Sequence, residues 1–171
     1  MQPGTDTRFD EGTLARLSAG SRPLIYIAED DDDLRVALEE LFTYDGFAVR
    51  AAHDGNTIFD WLFRERRPCM RLPDVIVTDH RMPGYCALDI LECLAEVRWT
   101  IPTIVITAYG PELRSRARAL DACAVFEKPF DPDALRRTAL HCVDLELPRR
   151  KPSRGDEVPD VVTGRIPSGD A

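Results

Sequence analysis

PDVIVTDHRMPG, residues 73–84, is an apolar run that ends in a carboxylate and then breaks into a turn. Val75 to Val77 predict a buried strand, Asp79 follows that strand, and Pro83-Gly84 turns the chain away. In an open parallel sheet the binding crevice lies outside the carboxyl ends of the strands, which places Asp79 at its mouth. Asp79 is therefore either a carboxylate of a functional site or the N-cap of the next helix, where aspartate is common.

Four more apolar runs predict strands, and a helical pattern follows every strand. These further strands cover residues 24–28, 47–52, 101–106 and 124–127. The helical patterns cover residues 34–44, 58–67, 88–97, 114–118 and 135–143. The fourth pattern has a thin apolar face, so we expect that helix to be the least firmly packed. Five βα units with short connections predict a doubly wound parallel α/β sheet with helices on both faces, since βα crossovers are right-handed. The alternation alone leaves the strand order open.

The length of the chain suits one domain with tails. It has 171 residues, of which 44% are hydrophobic and 30% charged. Residues 1–22 are polar and predict a loosely ordered extension. Residues 23–146 predict the folded domain. Residues 147–171 are rich in Pro, Gly, Ser, Arg and Asp and have no helical or alternating period, which predicts a disordered tail.

Acidic residues dominate the predicted domain. The net charge is −8, and residues 23–147 hold 23 acidic against 14 basic residues. Clustered Lys and Arg supply the affinity for nucleic-acid phosphates, so this balance predicts no direct nucleic-acid binding. It leaves room for a bound cation.

The sequence shows no pattern of a secreted or membrane protein. No apolar run approaches the roughly 20 residues of a membrane span, and the N-terminus has no signal-peptide core. The cysteines are Cys69, Cys86, Cys93, Cys123 and Cys142. Their number is odd and none forms a CxxC pair, which argues against a disulfide framework and a zinc site. We expect a cytoplasmic protein with reduced thiols.

Five carboxylates, Glu29 to Asp33, follow the first predicted strand. Acids in the first turn of a helix face the positive end of its dipole, where each contributes about 0.3 to 1 kcal/mol. A capped helix start therefore explains Asp31 to Asp33. It leaves Glu29 and Asp30 on the strand end, facing the crevice, and a divalent cation would account for these two.

Four of the five predicted strands end in a group suited to chemistry. These groups are Glu29 with Asp30, Asp79, Thr107 and Lys128. Strand ends of a parallel sheet share one edge, so the groups can converge. Three close carboxylates need a partner to stay ionised, and Mg²⁺ suits oxygen ligands. With a hydroxyl and an ammonium added, the set can hold a phosphoryl group that one aspartate attacks.

Lys128 is unusual in this composition. The chain has 20 Arg and two Lys, and the other lysine, Lys151, lies in the predicted tail. An ammonium is compact and differs from a guanidinium in donor geometry. The position therefore indicates a requirement for lysine, with a chance surface residue as the alternative.

Four motifs together resemble the receiver domain of two-component response regulators. They are IYIAEDDDDLR, DVIVTDHRMPG, PTIVITAYG and VFEKPF, in the order of that family. The successive spacings are 49 residues from Asp30 to Asp79, 28 from Asp79 to Thr107 and 21 from Thr107 to Lys128, also as in the family. The resemblance covers about Pro23 to Leu145. It implies a flavodoxin-like (βα)5 fold with strand order 2-1-3-4-5.

The resemblance also implies roles for particular residues. Asp79 would accept the phosphoryl group, and Asp30, Asp79 and the backbone carbonyl of Arg81 would coordinate Mg²⁺. Glu29 would reach the ion through water. Thr107 and Lys128 would hold the phosphoryl oxygens. The Lys128-Pro129 peptide bond would be cis, which is otherwise uncommon.

The leading hypothesis is a stand-alone receiver that is not an enzyme beyond its own Mg²⁺-dependent phosphorylation and dephosphorylation. A sensor histidine kinase or a phosphotransfer protein would donate the phosphoryl group. The signal would leave through the surface of the fourth helix, fifth strand and last helix, as a change of about 1 to 3 kcal/mol in partner binding. The helix from Arg114 to Arg118 would be part of that surface or simply a solvated basic face. A homodimer is compatible with this function.

Two positions depart from the family pattern. Val125 replaces the usual aromatic switch residue, with Phe126 beside it, and Tyr109 is a candidate substitute for the missing ring. Asp121 replaces a usual glycine in the turn before the fifth strand, where a left-handed backbone suits aspartate less well.

Two other functions remain open on the sequence alone. In an aspartyl-nucleophile phosphatase, Asp30 would be the nucleophile and Asp131 with Asp133 would complete its motifs, but the segment after Asp79 would have no role. In a receiver-like binding module the protein would act without phosphorylation. The intact pocket argues against this alternative, and the change at Val125 argues mildly for it.

Overall fold

A computed structural model of the chain describes residues 22–64, 71–108 and 110–144. Five parallel strands form one sheet in the order β2-β1-β3-β4-β5. They are β1 Leu24–Ala28, β2 Ala48–Ala52, β3 Val75–Asp79, β4 Thr103–Thr107 and β5 Ala124–Glu127. The doubly wound fold and the implied strand order are both confirmed. The predicted tail 147–171, and all but the last residue of the predicted extension 1–22, lie outside the described residues.

A helix follows each strand, as predicted. The helices are α1 Asp32–Tyr44, α2 Gly55–Phe59, α3 Ala87–Glu96, α4 Pro111–Ala119 and α5 Pro132–Asp144. The second helix differs from the prediction, because α2 continues as a π-helical turn, Asp60–Arg64. Two aromatic rings of this turn pack against other rings of the core. Trp61 meets Tyr26 edge to face at 5.4 Å between ring centroids, while Phe63 stacks on Trp99 at 5.6 Å.

The core has a layer on each face of the sheet. One layer joins α2 and α3 to the sheet, and the other joins α1 and α5 to it. Helix α4 contributes only Leu113 and Ala117 as buried residues, which pack with α3 and Val105. The prediction of a thinly packed fourth helix is therefore confirmed.

Strand register brings the carboxyl ends of the strands to one edge. Ala28 pairs with Thr78, Asp79 pairs with Ile106, and Thr107 pairs with Glu127. The central strands β3 and β4 are buried along their whole length. Side chains that follow these strands are consequently held by a rigid backbone.

Three helices end in the same hydrogen-bonded motif. At the end of α1 the Phe47 amide donates to the Phe42 carbonyl at 3.0 Å, and Gly46 has a φ of 88°. The end of α3 has Arg98 at this left-handed position (φ 55°), and the end of α4 has Asp121 (φ 60°). Such Schellman ends favour glycine. The left-handed backbone expected at Asp121 is confirmed, and Arg98 is a second strained position that the sequence did not indicate.

Replacing Arg98 with glycine should stabilise the domain. A left-handed conformation costs a residue with a Cβ atom about 1 to 2 kcal/mol, and the larger unfolded-state entropy of glycine offsets part of that gain. We expect the free energy of unfolding in urea to rise by about 0.5 kcal/mol. The matched control is Arg118→Gly, at an exposed position inside α4, which should lower it by about 1 kcal/mol. An Arg98→Gly variant less stable than the parent would contradict this account of the helix end.

A buried ion pair links α1 to α5. The Arg136 Nε donates to both carboxylate oxygens of Asp45, at 2.7 and 2.6 Å. The side chain of Asp45 is 1% exposed and that of Arg136 is 26% exposed. The guanidinium can thus turn to solvent, whereas the carboxylate cannot.

Removing the cation of this pair should therefore cost more than removing the anion. We expect Arg136→Met to lower the free energy of unfolding by about 2 kcal/mol, because it leaves a buried carboxylate without its cation. Asp45→Asn should cost less, and the double variant should recover part of the loss. Arg137→Met is the control, since that side chain is 69% exposed and its ion pair with Asp131 is 3.6 Å long. Equal losses for Arg136→Met and Arg137→Met in urea unfolding would rule out the buried pair as the cause.

Candidate functional site

Three carboxylates meet at the carboxyl edge of the sheet. Glu29 and Asp30 follow β1, and Asp79 ends β3. Each offers an oxygen, and the three oxygens lie within 4.8 Å of one another. Glu29 and Asp79 are buried, while Asp30 is exposed. The site is therefore a partly open acidic pocket.

Lys128 lies in the centre of this pocket. Its Nζ atom donates to Asp79 Oδ2 at 2.6 Å and to both carboxylate oxygens of Glu29 at 3.0 Å. Its backbone amide donates to the Thr107 carbonyl at 2.7 Å, which fixes the lysine next to the end of β4. Burial opposes the ammonium charge, but the hydrogen bonds to Asp79 and Glu29 outweigh it and raise the Lys128 pKa above its ordinary value.

Glu29 has the most perturbed carboxyl of the pocket. Burial raises its pKa to about 7, the neighbouring Asp79 raises it as well, and the hydrogen bond from Lys128 opposes both effects. The Asp31 amide donates to Glu29 Oε1 at 3.3 Å, and Arg35 donates to its backbone carbonyl at 3.0 Å. Burial, a like charge and a cation thus compete at one carboxyl group.

Asp79 does not cap a helix. Helix α3 begins at Ala87 and its N-cap is Cys86, so the alternative interpretation of Asp79 as an N-cap is wrong. Its Oδ1 atom instead accepts a hydrogen bond from the Arg81 amide at 3.1 Å. This turn holds the carboxylate toward Lys128.

The other acids after β1 lie at the start of α1, as the sequence predicted. Asp31 caps α1, because its Oδ1 atom accepts from the Leu34 amide at 3.0 Å. Asp32 pairs with Arg35 at 2.5 Å and is 83% exposed. Neither is a member of the carboxylate cluster, so the helix start accounts for both.

Thr107 and Arg81 lie at the same edge. Thr107 is the last residue of β4 and is fully buried. Arg81 is exposed, two residues beyond Asp79. The fold therefore brings Glu29, Asp30, Asp79 and Lys128 into one cluster and places the other two predicted residues beside it.

The loop after Asp79 is held by Gly55, which was not among the predicted site residues. The Gly55 amide donates to the Pro83 carbonyl at 2.9 Å. A Cβ atom on Gly55 would lie 1.7 Å from the Tyr85 carbonyl oxygen. Only glycine allows this close approach. The sequence His53-Asp54-Gly55 is typical of a turn, but a turn alone does not predict contact with the loop after Asp79.

His80, directly after Asp79, was not among the predicted site residues. Its Nδ1 atom is buried and has no hydrogen-bond partner, and burial lowers its pKa. Burial therefore favours the neutral imidazole.

The sequence also predicted a cis Lys128-Pro129 bond and the absence of the usual aromatic ring at Val125. The Lys128-Pro129 bond is cis, which confirms the prediction. Val125 packs with the α3 and α4 layer, whereas Phe126 packs in the opposite layer with α1 and α5. Phe126 therefore does not supply the missing ring on the α4 side, and Tyr109 lies outside the described residues.

The chemistry of the pocket fits a hard cation. All three cluster ligands are carboxylate oxygens, and one of them is open to solvent. Mg²⁺ prefers oxygen ligands and keeps several waters, which an open site allows. Three carboxylates against one ammonium also leave a local excess of negative charge.

A five-stranded parallel sheet in this order, with acids and a lysine at its carboxyl edge, defines a receiver-type α/β domain. Residues 25–140 match the family model for the response regulator receiver domain. Because that match spans more than half of the chain, the chain belongs to the response regulator receiver domain family.

Two curated relatives illustrate the match. Sporulation initiation phosphotransferase F of Bacillus subtilis (strain 168) is 31% identical over 113 residues, which are 66% of this chain and 86% of the relative. Transcriptional regulatory protein FixJ of Rhizobium meliloti (strain 1021) is 32% identical over 128 residues, which are 71% of this chain and 59% of the relative. The chain thus spans most of the first relative and about three fifths of the second.

Solved structures show the same fold. The receiver domain of the Francisella response regulator 1452 superposes with a TM-score of 0.65 at 22% identity, covering 72% of this chain and 98% of that one. The non-phosphorylated HemR receiver domain from Leptospira biflexa gives a TM-score of 0.63 at 26% identity, covering 72% of this chain and 96% of that one.

Among the described residues, no helix is long and apolar enough to cross a bilayer.

Proposed function

We propose that this chain is a phosphoacceptor receiver of a two-component phosphorelay and that Asp79 takes the phosphoryl group. The observation that carries the proposal is the contact of Lys128 Nζ with Asp79 Oδ2 at 2.6 Å, inside a cluster of three carboxylates. An ammonium beside a buried carboxylate is placed to neutralise a group that arrives with negative charge. The family membership supports the same function.

In the proposed reaction, an Asp79 oxygen attacks the phosphorus of a phosphohistidine on a histidine kinase or phosphotransfer protein. The new O–P bond replaces the P–N bond, and the histidine leaves with a proton. Lys128 and Thr107 hold the phosphoryl oxygens. Asp30, Asp79 and the Arg81 carbonyl would hold Mg²⁺, with Glu29 acting through water. When bound, the ion would neutralise charge on the phosphoryl group.

We propose that the signal leaves through α4, β5 and α5 as a change in affinity for a protein partner. Helix α4 is the thinly packed element there, with two buried side chains, and Arg114 on it pairs with Glu127 of β5 at 2.9 Å. A weakly packed element is the one that a modest free-energy change can move. The stand-alone organisation stays a prediction from the sequence.

Mass spectrometry of the full chain tests the proposal. After incubation with acetyl phosphate and Mg²⁺, we expect one added phosphoryl group, and borohydride reduction followed by peptide mapping should locate it at Asp79. A phosphoryl group mapped to Asp30 would favour the phosphatase. No adduct, together with equal partner affinity with and without beryllofluoride, would favour the binding module.

Removing the metal should abolish this modification. With excess EDTA in place of Mg²⁺, we expect the phosphorylated fraction to fall at least about 100-fold, because the acidic cluster then repels the incoming phosphate. Adding Mg²⁺ back should restore it, while Ca²⁺ serves as a control of different size. Phosphorylation at an unchanged rate in EDTA would exclude a metal-dependent site.

The phosphatase alternative receives less support from the geometry. In that function Asp30 would be the nucleophile, yet Lys128 contacts Asp79 and Glu29. Asp32, which would act with Asp30, turns to solvent and pairs with Arg35. The ammonium of Lys128 therefore lies beside Asp79, the nucleophile of the receiver function.

A further inference from the structure

Two cysteines lie together at the opposite edge of the sheet from the acidic pocket. Cys123 precedes β5 and is exposed, while Cys142 is buried in the inner face of α5. The side chains of Cys123 and Cys142 interact with each other. Both side chains line one cavity of about 470 Å³, beside Leu94, Trp99 and Pro102.

The backbone holds this pair in place from both sides. The Cys123 amide donates to the Thr103 carbonyl of β4 at 2.8 Å. Cys142 packs in the same layer as Ala124, the residue after Cys123. The two cysteines therefore line one cavity between the start of an edge strand and the helix that covers it.

The environments of the two thiols differ in a way that suits stepwise chemistry. The hydrogen bond from Cys142 lowers the pKa of Cys123 to about 7, against the effect of burial. The same bond and burial raise the pKa of Cys142. A thiolate is the reactive form of cysteine, so the exposed sulfur is the nucleophile and the buried one reacts second.

We propose that Cys123 and Cys142 form a redox-active dithiol, which a hydroperoxide such as hydrogen peroxide converts into an intramolecular disulfide. This site is separate from the acidic pocket and does not depend on phosphorylation. Its product would tie α5 to the segment that leads into β5.

The reaction balances in two steps. The Cys123 thiolate attacks one peroxide oxygen, the O–O bond breaks, and the departing hydroxide takes up a proton to leave as water. The resulting sulfenic acid is then attacked by the sulfur of Cys142. The S–S bond forms as the S–O bond breaks, and the hydroxide leaves as water with the proton of Cys142. Two thiols lose two electrons in total, and one peroxide becomes two waters; a small dithiol reverses the change by exchange.

The test uses the full reduced chain, treated with hydrogen peroxide, alkylated with N-ethylmaleimide and analysed by mass spectrometry without reductant. We expect two thiols per chain to escape alkylation and a cross-linked peptide pair to contain Cys123 and Cys142. Dithiothreitol should restore both thiols. Cys123→Ser and Cys142→Ala should each abolish the cross-link, and in Cys142→Ala a dimedone-type reagent should trap the sulfenic acid on Cys123.

Cys86→Ser is the matched control. Burial raises the pKa of Cys86 to about 11, so Cys86 should react with peroxide at least about ten times more slowly than Cys123. Serine is also a good N-cap, and the variant should keep α3 intact. Asp79→Asn should form the cross-link at the rate of the parent, which separates this proposal from the phosphorylation function. A disulfide that forms between other cysteines, or oxidation of Cys123 no faster than that of Cys86, would overturn the proposal.

Discussion

Asp79→Asn should accept no phosphoryl group from acetyl phosphate at any Mg²⁺ concentration, while the parent chain accepts one. An amide oxygen is a poor nucleophile, and no other carboxylate receives a hydrogen bond from Lys128 Nζ as short as the 2.6 Å bond to Asp79. The variant should remain folded, because Glu29 still pairs with the lysine at 3.0 Å. Intact-mass spectrometry and circular dichroism measure the two properties together.

Asp30→Asn separates loss of the nucleophile from loss of the metal. The exposed carboxylate of Asp30 belongs to the cluster, but the hydrogen bonds of Lys128 Nζ that define the pocket go to Glu29 and Asp79. We expect its phosphorylation to need roughly 10-fold to 100-fold more Mg²⁺ and to recover in part when Mg²⁺ is raised. Asp33→Asn, an exposed acid in the first turn of α1, is the control and should behave as the parent. If the Asp79→Asn variant were fully phosphorylated on Asp30, Asp30 would be the nucleophile in place of Asp79. That result would establish the phosphatase chemistry.

Much of the architecture follows from local sequence. The strands β3 and β4 are buried throughout. A fully buried strand appears in the sequence as a continuous apolar run, which is easy to recognise. Polar residues at the ends of such runs must lie at the carboxyl edge, so the sequence alone places Asp79 and Thr107 there. The strand order came only from the resemblance, because alternation of strands and helices is the same for several orders.

Contacts between residues that are far apart in the sequence could not be predicted from local patterns. Arg136 is one of 20 arginines, and nothing local indicates that it pairs with Asp45, 91 residues earlier. The cysteine pair was missed for the same reason, since a CxxC search finds only neighbours in sequence. The sequence predicted a helix over residues 58–67 and did not indicate the π-helical turn after Phe59.

The side to which each β5 residue points also had to come from the structure. Val125 and Phe126 are adjacent, and alternation sends them to opposite faces, but the sequence did not define which face meets α4. The described residues place Val125 on the α4 side. Any coupling between the pocket and α4 must therefore use something other than a ring at position 125 or 126, and the Arg114 to Glu127 ion pair is a direct polar contact between α4 and β5.

Lys128→Met should slow phosphorylation of Asp79 by acetyl phosphate about 100-fold to 1000-fold, with the phosphoryl group still on Asp79. The ammonium is the cation that contacts both buried carboxylates, Glu29 and Asp79. Removing a preorganised donor from a site of developing negative charge costs about this factor in rate. The initial rate of phosphoryl incorporation, followed by intact-mass spectrometry at saturating Mg²⁺, gives the number directly.

Lys128→Arg tests whether charge alone is sufficient. The ammonium donates three hydrogen bonds from one atom, two of them to Glu29, whose side chain is 1% exposed. A planar guanidinium spreads its donors over a wider fork and needs more room than this buried carboxylate leaves. We therefore expect the arginine variant to recover less than about a tenth of the parent rate, although its charge is the same. A rate equal to that of the parent would show that the pocket requires a positive charge and not a lysine, and the single lysine of the folded domain would then owe its position to chance.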